Sequence, residues 1–379
     1  MAEKFKIDLV YLWCDGSDPE FVKERKYWEE KLGVPVSESN NDNKYVDHEE
    51  LRYSLRSVYK NAPWINKIYI VTNGQVPKWL DLSKTDKIKI VTHSQIMPKD
   101  ALPTFDSNSI ETCLVNIPNL SEHFIYANDD MFMNRPVSPD FFFDKKGRPI
   151  IRLFKNILTK EKLEKFLYHR LVKYSNDLIN EKYNKKYCLN PHHNIDAYLL
   201  SSCRECINEF KDEFDKITYS KFRQLGIQRN IFALYMMCHN QYSIVKYIDT
   251  DNTLYKQKES MYMGISDEKM FDCIKRTTPY LICLNDSCRV KKENLDNYKT
   301  FLQYLFPEKI PCETDEPITN IKTDILEKYE KLEKKYNLNW KIKNKLKYLT
   351  SFLIKKKKTE KSKQIILFNF IKITYKRKK

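Results

Sequence analysis

Glycine is scarce in this chain, with 6 among 379 residues, which excludes collagen-like and glycine-rich linker compositions. Hydrophobic residues make up 41%, too many for a disordered chain, and the length is enough to bury one large core or two. No G-x-G-x-x-G follows the first strand-like run, which disfavours a dinucleotide oxidoreductase. No stretch approaches the roughly 18–20 apolar residues needed to span a bilayer. The N-terminus MAEKFKIDLVYLWCDG has too short an apolar run, and no small-residue cleavage site, for a secretion signal. The expectation is a cytoplasmic protein. Paired metal knuckles are also missing: the ten cysteines show no repeat, and the single C-x-x-C, Cys203 to Cys206, lies in the helix-like SSCRECINEF. Reduced thiols are expected, not zinc or disulfides.

Charge is present but unevenly placed. The chain carries a net charge of +16, yet residues 322–379 hold 20 Lys and Arg against 5 Asp and Glu, leaving 47 against 46 in the rest. A near-neutral body with a cationic appendage is not the footprint of a nucleic-acid-binding fold, and the tail contains no recognition module.

The body alternates strand and helix patterns. IDLVYLW (7–13) is a buried-strand run ending in the turn-rich CDGSDP, and FVKERKYWEEKL has helical periodicity. VSESNNDNKYVD (36–47) reads as a mobile surface loop. HEELRYSLRSVYKNA is an amphipathic helix with Leu51, Leu55 and Val58 on one face. KIYIVTN, KIKIVTH and HFIYAND are strands, with a short helix expected after GQVPKWL and another in SNSIETCLVNIPNL. This order predicts an α/β sheet, in which polar residues just past strand C-termini line the ligand crevice. Farther on, 159–186 is charged and helical, an insertion or lid, and 190–240 is mostly helical. PYLICLNDSC runs strand into turn, and 298–306 is a helix.

Within FIYANDDMFM, the cluster Asn128-Asp129-Asp130 interrupts a hydrophobic run. Adjacent carboxylates repel each other and are costly to desolvate, so a core should exclude them. A polar turn would explain them. So would a site for a hard divalent cation bridging two phosphates of a nucleotide sugar, with Asp129 and Asp130 as ligands and Asn128 as ligand or orienting group.

Several of these phrases resemble the Stealth family. IDLVYLWCDGSDP is similar to its first conserved region. DHEELRYSLRSVYKNAPWINKIYIVTNGQVPKWLDL, IVTH, LPTFDSNSIE and FIYANDDMFM follow the second region in order. PHHNID and KFRQ resemble the third, and CLNDSC the fourth. The resemblance spans roughly 7–311. It implies a glycosyltransferase-A-like, Rossmann-type nucleotide-sugar domain with helical additions: a catalytic domain over 1–315, its nucleotide-sugar half at 1–150 and conserved regions three and four at 187–315, leaving a basic helical tail at 316–379 outside it.

The resemblance also implies a sugar-1-phosphate transferase of bacterial capsule or surface polysaccharide synthesis. Its donor would be a UDP-sugar, first of all UDP-N-acetylglucosamine, with Mg²⁺ or Mn²⁺ as cofactor, a growing glycan as acceptor and UMP as product. By resemblance, Trp13, Asp15, Gly16 and Asp18 shape the nucleotide pocket, although WCDGSDP also reads as a simple Asx-rich turn. Arg52 and Arg56, four apart on one helix face, suit a diphosphate grip or a solvated basic face. Asn73 and Gln75 serve the donor or cap a turn. His193 is a candidate general base. Family members open this region with a His-x-Pro-like pattern where this chain has Asn-Pro-His192-His193, so which histidine acts stays open. Arg223 is a phosphate partner or a surface arginine, and Asn285 and Asp286 complete the site from another strand end.

The tail lies outside the resemblance. Ile325, Leu326, Tyr329 and Leu332 share one helical face, and KKKK at 355–358 and the terminal KRKK flank IILFNFIKITY. An interfacial helix on an anionic inner leaflet fits that pattern, as does a solvated tail. The rival enzyme class is a conventional metal-dependent glycosyltransferase, which would release UDP.

Overall fold

The structure is a computed structural model that describes residues 5–34, 45–155, 158–248, 258–265, 267–286, 290–318, 320–358, 362–367 and 371–376. The chain divides into two units, 1–321 and 322–379, six residues beyond the boundary expected from sequence.

The first unit opens with β1 (Ile7–Leu12), α1 (Pro19–Leu32), α2 (Glu50–Asn61), β2 (Ile68–Thr72), β3 (Ile88–Thr92), α3 (His93–Ile96), α4 (Ser107–Cys113), β4 (His123–Asn128) and β5 (Met131–Met133). There follow β6 (Ile150–Phe154), α5 (Lys160–Lys165), α6 (Leu167–Tyr183), β7 (Asn190–Pro191), β8 (Asp196–Leu199), α7 (Leu200–Glu209), α8 (Lys211–Thr218) and α9 (Asn230–Cys238). It ends with β9 (Ile244–Ile248), β10 (Ser260–Gly264), α10 (Asp267–Thr277), β11 (Leu281–Asn285) and α11 (Lys292–Leu305).

The main sheet has the order β3-β2-β1-β4-β8. Its first four strands run parallel, and β8 closes one edge antiparallel. Strand alternation sends successive side chains to opposite faces. Ile7, Leu9 and Tyr11 join Leu51, Leu55 and Val58 of α2 in one core, while Val10 joins Val71, Phe124, Tyr126 and the helices α4, α7, α8 and α9 in the other. Both faces of β1, β2 and β4 are covered, which is why these strands read as nearly continuous apolar runs, whereas edge strand β3 leaves Lys89 exposed. At the N-terminal end, buried Asp8 accepts from Asn66 Nδ2 (2.7 Å), the Lys67 amide (3.1 Å) and the Ser121 amide (2.7 Å), pinning two loops to one carboxylate.

Chain order leaves β1 for β2 and β3 on one side and returns through β4 on the other. The topological switch point therefore falls between β1 and β4, where doubly wound sheets bind ligands. Leu12 pairs in register with Asn128, so Trp13-Cys14 and Asp129-Asp130 leave the sheet side by side.

The turn at GQVPKWL leads into a short helix, a single 3-10 turn at Leu82–Lys84. Residues 190–240 are mostly helical, but they begin with β7 and β8, where the Asp196–Leu199 run completes the main sheet before the helices start. Most of the expected loop 36–47 lies outside the described residues, but Tyr45 at its end is no surface residue: its hydroxyl donates to the Phe105 carbonyl (3.1 Å) and its ring packs on Phe21.

The second unit comprises α12 (Thr323–Leu353), β12 (Ile354–Lys358), β13 (Ser362–Leu367) and β14 (Ile371–Lys376), the strands forming an antiparallel β12-β13-β14 sheet. Ile325, Leu326, Tyr329 and Leu332 are the shielded positions of the helix's first turns. Where an interfacial helix was expected, the described residues of IILFNFIKITY lie in two antiparallel strands, with Ile365 opposite Ile373. β-branched residues lose rotamer freedom in a helix and fit a pleated sheet, and this stretch is rich in them. Among the described residues, no helix is long and apolar enough to cross a membrane.

Candidate active site

A cavity of about 840 Å³ opens at the switch point, a volume suited to a nucleotide-sugar-sized ligand. Its walls include Trp13 and Cys14 after β1, Asn73 after β2, the Asn128-Asp129-Asp130 cluster after β4, and Asn285-Asp286 after β11.

The carboxylates meet here with little to satisfy them. Desolvation first, then repulsion from Asp130 and Asp47, pushes Asp129 well above the ordinary carboxylate range. Asp130 is raised to about 6, chiefly by burial; Cys283 Sγ and Asn285 Nδ2 each lie 3.5 Å from its Oδ2, and its buried Oδ1 has no partner. Asp47 is raised to about 6 by burial, and Glu50 is raised by burial and by Asp129 and Asp47. On the β11 side, Asp286 Oδ2 lies 3.4 Å from His48 Nε2, and its buried Oδ1 is also unpartnered. Among the described residues, no three His, Cys, Asp or Glu converge as a ready metal cage. Mg²⁺ commonly takes one or two protein carboxylates and completes its shell with water and substrate phosphates. The unpartnered oxygens of Asp130 and Asp286, with Asp129 beside them, fit that mode. Asn128 Oδ1 accepts from the Tyr126 hydroxyl (2.8 Å), which fixes the orientation of that side chain.

Cationic groups line other parts of the cavity. Arg223 donates from Nη2 to Ser107 Oγ and sits 3.7 Å from Asp106, leaving part of its guanidinium to the cavity. Arg229, which the sequence reading missed, lies 3.9 Å above the Tyr126 ring and pairs with Asp196 (3.2 Å) and Glu111 (3.7 Å). His192 and His193 both line the cavity. His192 is buried, with Nδ1 3.3 Å from Asp196 Oδ1, whereas His193 is more open and touches the rings of Tyr168 and Tyr262. His93 is held neutral by burial, its pKa lowered to about 4.

Other expected site residues are placed elsewhere. Arg52 and Arg56 do not grip a ligand. Both are buried against Glu313, whose carboxylate accepts from Arg52 Nε (2.8 Å), Arg56 Nε (2.7 Å) and Arg56 Nη2 (2.6 Å). Helix α2 is covered on nearly every side, so its arginines need a partner inside the protein, and the chain supplies one more than 250 residues later. Asp18 caps α1 by accepting from the Phe21 amide, and Asp15 Oδ1 accepts from the Ser17 amide and hydroxyl. Gln75 exchanges two hydrogen bonds with the Asp15 backbone, so it braces the turn without lining the cavity. Gly16 acts through shape: a Cβ there would meet the Tyr45 carbonyl oxygen at 1.9 Å. These four support the wall from behind.

Asp47, His48 and Glu50 were also missed as site residues, although the phrase DHEEL places three acids and a histidine within four residues.

Residues 5–33 match the model of Stealth protein conserved region 1, and residues 44–151 that of conserved region 2. The exopolysaccharide phosphotransferase cps2G of Lactiplantibacillus plantarum is 29% identical over 343 residues, 82% of this chain and 96% of that protein. The capsular polysaccharide phosphotransferase LcbA of Neisseria meningitidis is 44% identical over 143 residues, 38% of this chain and 39% of that protein. Among solved structures, an active-site mutant of LgtC aligns with TM-score 0.41 and 10% identity, covering 82% of this chain and 97% of that one.

Proposed function

We propose that this chain, whose residues 5–33 and 44–151 match Stealth protein conserved regions 1 and 2, is a polysaccharide phosphotransferase moving an N-acetylhexosamine 1-phosphate from a UDP-sugar to a sugar hydroxyl. The observation that carries this reading is the Asp129–Asp130 pair at the β1/β4 switch point, with one Asp130 oxygen unpartnered, in a cavity with an arginine and a histidine on its other walls.

In this reading the uridine lies against Trp13 and Asn73, and the diphosphate reaches Arg223. Asp129, Asp130 and Asp286 would hold Mg²⁺ or Mn²⁺, which when bound neutralises charge on the diphosphate and its leaving group. His193 takes the proton of the acceptor hydroxyl as its oxygen attacks the sugar-side phosphorus. The bond from that phosphorus to the bridging oxygen breaks, UMP departs with that oxygen, and a phosphodiester remains. The anomeric bond is untouched. Positioning and electrostatics do most of the catalysis in such a transfer.

The basic second unit would hold the enzyme at the anionic inner face of the cell membrane.

The test is the nucleotide product. Incubation with UDP-N-acetylglucosamine, Mg²⁺ and a capsule oligosaccharide should yield UMP and a phosphodiester. Release of UDP would replace this reading with glycosyl transfer.

A further inference from the structure

The cavity has a wall that the donor and the carboxylates leave unused. Helices α5 and α6 meet at Phe166, an extended residue between them, and turn Lys162, Tyr168 and His169 toward the cavity. Opposite stands Tyr262 on β10, 37% exposed for so large a ring, with its centroid 4.9 Å from that of His193; Tyr168 touches His193 from another side at 5.8 Å. Strand β10 also fixes the distance to the chemistry. Gly264 pairs in register with Asn285, the neighbour of Asp130, and Tyr262 is two residues earlier. At about 3.3 Å per residue, that is roughly 6–7 Å along the strand, on the order of one saccharide.

Aromatic faces beside an acidic reaction centre suit a sugar ring, and the nearby cation suits something further. Each turnover of the proposed reaction leaves one phosphodiester, so an acceptor that has been extended once is an anion. The carboxylates at the switch point repel such an anion, and a positive group on the acceptor side offsets them. Lys162 is half-buried there, and His169 beside it has a buried Nδ1 with no partner. The Lys162 charge, after burial, lowers the basicity of that ring.

We propose that the α5–α6 hairpin and β10 form the acceptor subsite. Tyr262 stacks on the sugar that presents the attacking hydroxyl. Lys162, with His169 donating a hydrogen bond, binds the phosphodiester of the preceding repeat, so that the enzyme selects chains already extended. This rests on the phosphotransfer reading above.

The experiment compares two probes by equilibrium titration of the full chain at low salt. One is an N-acetylhexosamine dimer joined by a phosphodiester, the other the same dimer joined by a glycosidic bond. The wild type should prefer the phosphodiester dimer by about tenfold, the worth of one charge-assisted hydrogen bond. Lys162→Ala should erase that preference and leave the glycosidic dimer's affinity alone. Tyr262→Ala should weaken both dimers about tenfold, with Tyr262→Phe restoring them. UDP-N-acetylglucosamine affinity should hold in all three variants. Equal affinity of the wild type for the two dimers, or variants that lose UDP-N-acetylglucosamine in step with the dimers, would overturn the subsite. If the dimers behave as expected but the nucleotide released is UDP, the subsite stands and phosphotransfer falls.

Discussion

Asp8 and Asp130 are carboxylates at opposite ends of neighbouring strands, and they keep very different company. Asp8 has three donors within 3.1 Å and holds loops together. Asp130 has two distant contacts at 3.5 Å, one orphaned oxygen, and Asp129 beside it. A carboxylate saturated with donors is at rest, and one left short of donors in a desolvated place is costly unless a ligand completes it. The same contrast separates the arginines: Arg52 and Arg56 are met by Glu313 together with Glu49, Gln303 and backbone carbonyls, while Arg223 keeps part of its guanidinium for the cavity. Burial and charge alone do not distinguish these structural groups from those at the cavity; their hydrogen-bond partners do.

The largest expected effect comes from the unsatisfied end. Asp129→Asn or Asp130→Asn should lower turnover about a thousandfold or more, about 4 kcal/mol of transition-state stabilisation, with the fold retained. EDTA should abolish wild-type turnover and added Mg²⁺ or Mn²⁺ restore it. Mg²⁺ should also raise the melting temperature of the wild type but not of Asp130→Asn, since the variant lacks the charge that the ion offsets. Near-normal turnover in either variant would remove that residue from the metal's ligands.

At the satisfied end the damage should fall on stability. Glu313→Ala leaves buried Arg56 with no carboxylate and buried Arg52 with Glu49 alone, and should cost about 3 kcal/mol in denaturant unfolding. Hydrogen bonds from Arg56 and Arg52, against burial, hold this carboxyl below its usual range, so it is the anion they need. An unfolding midpoint equal to wild type would show that the arginines find other partners. Asp8→Ala should cost somewhat less, about 1–3 kcal/mol, through its unmet loop donors. Activity at a permissive temperature should survive both changes. If Arg52 gripped the donor instead, loss of Glu313 would alter UDP-sugar affinity before it altered melting.

The sequence carried one side of this contrast well. Strands β1, β2 and β4 and helices α1 and α2 were legible because two-sided burial writes itself as unbroken β-branched runs and α2 as a regular apolar face. The Asp129–Asp130 pair was legible because it breaks such a run. Arg52 and Arg56 were misread because their partner lies beyond residue 300, and sequence spacing cannot show whether a basic helix face meets solvent, phosphate or a distant glutamate. Tyr45 and Gly16 were opaque for a related reason: their closeness is a fact of loop packing. In the tail, charge pattern favoured an interfacial helix, whereas the density of β-branched residues favoured the paired strands at 362–367 and 371–376.

The smallest effect on turnover should come from the second unit. Deleting 337–379 removes most of the cationic excess while leaving every cavity residue in place. The truncated enzyme should keep most of its turnover on soluble oligosaccharide yet fail to pellet with anionic vesicles. Each Lys or Arg near an anionic surface contributes about 1 kcal/mol, so a handful is enough for reversible binding. A sheet serves this purpose as well as a helix would, because the attraction depends on charge near the surface and not on an apolar face buried in it. Binding of the full chain should therefore weaken steeply as salt shortens the Debye length from about 30 Å at 0.01 M to about 8 Å at 0.15 M. Salt-independent pelleting would point to apolar insertion instead. Equal pelleting of the two forms would end the membrane role, and a dead truncated enzyme would make the second unit part of the catalytic machinery.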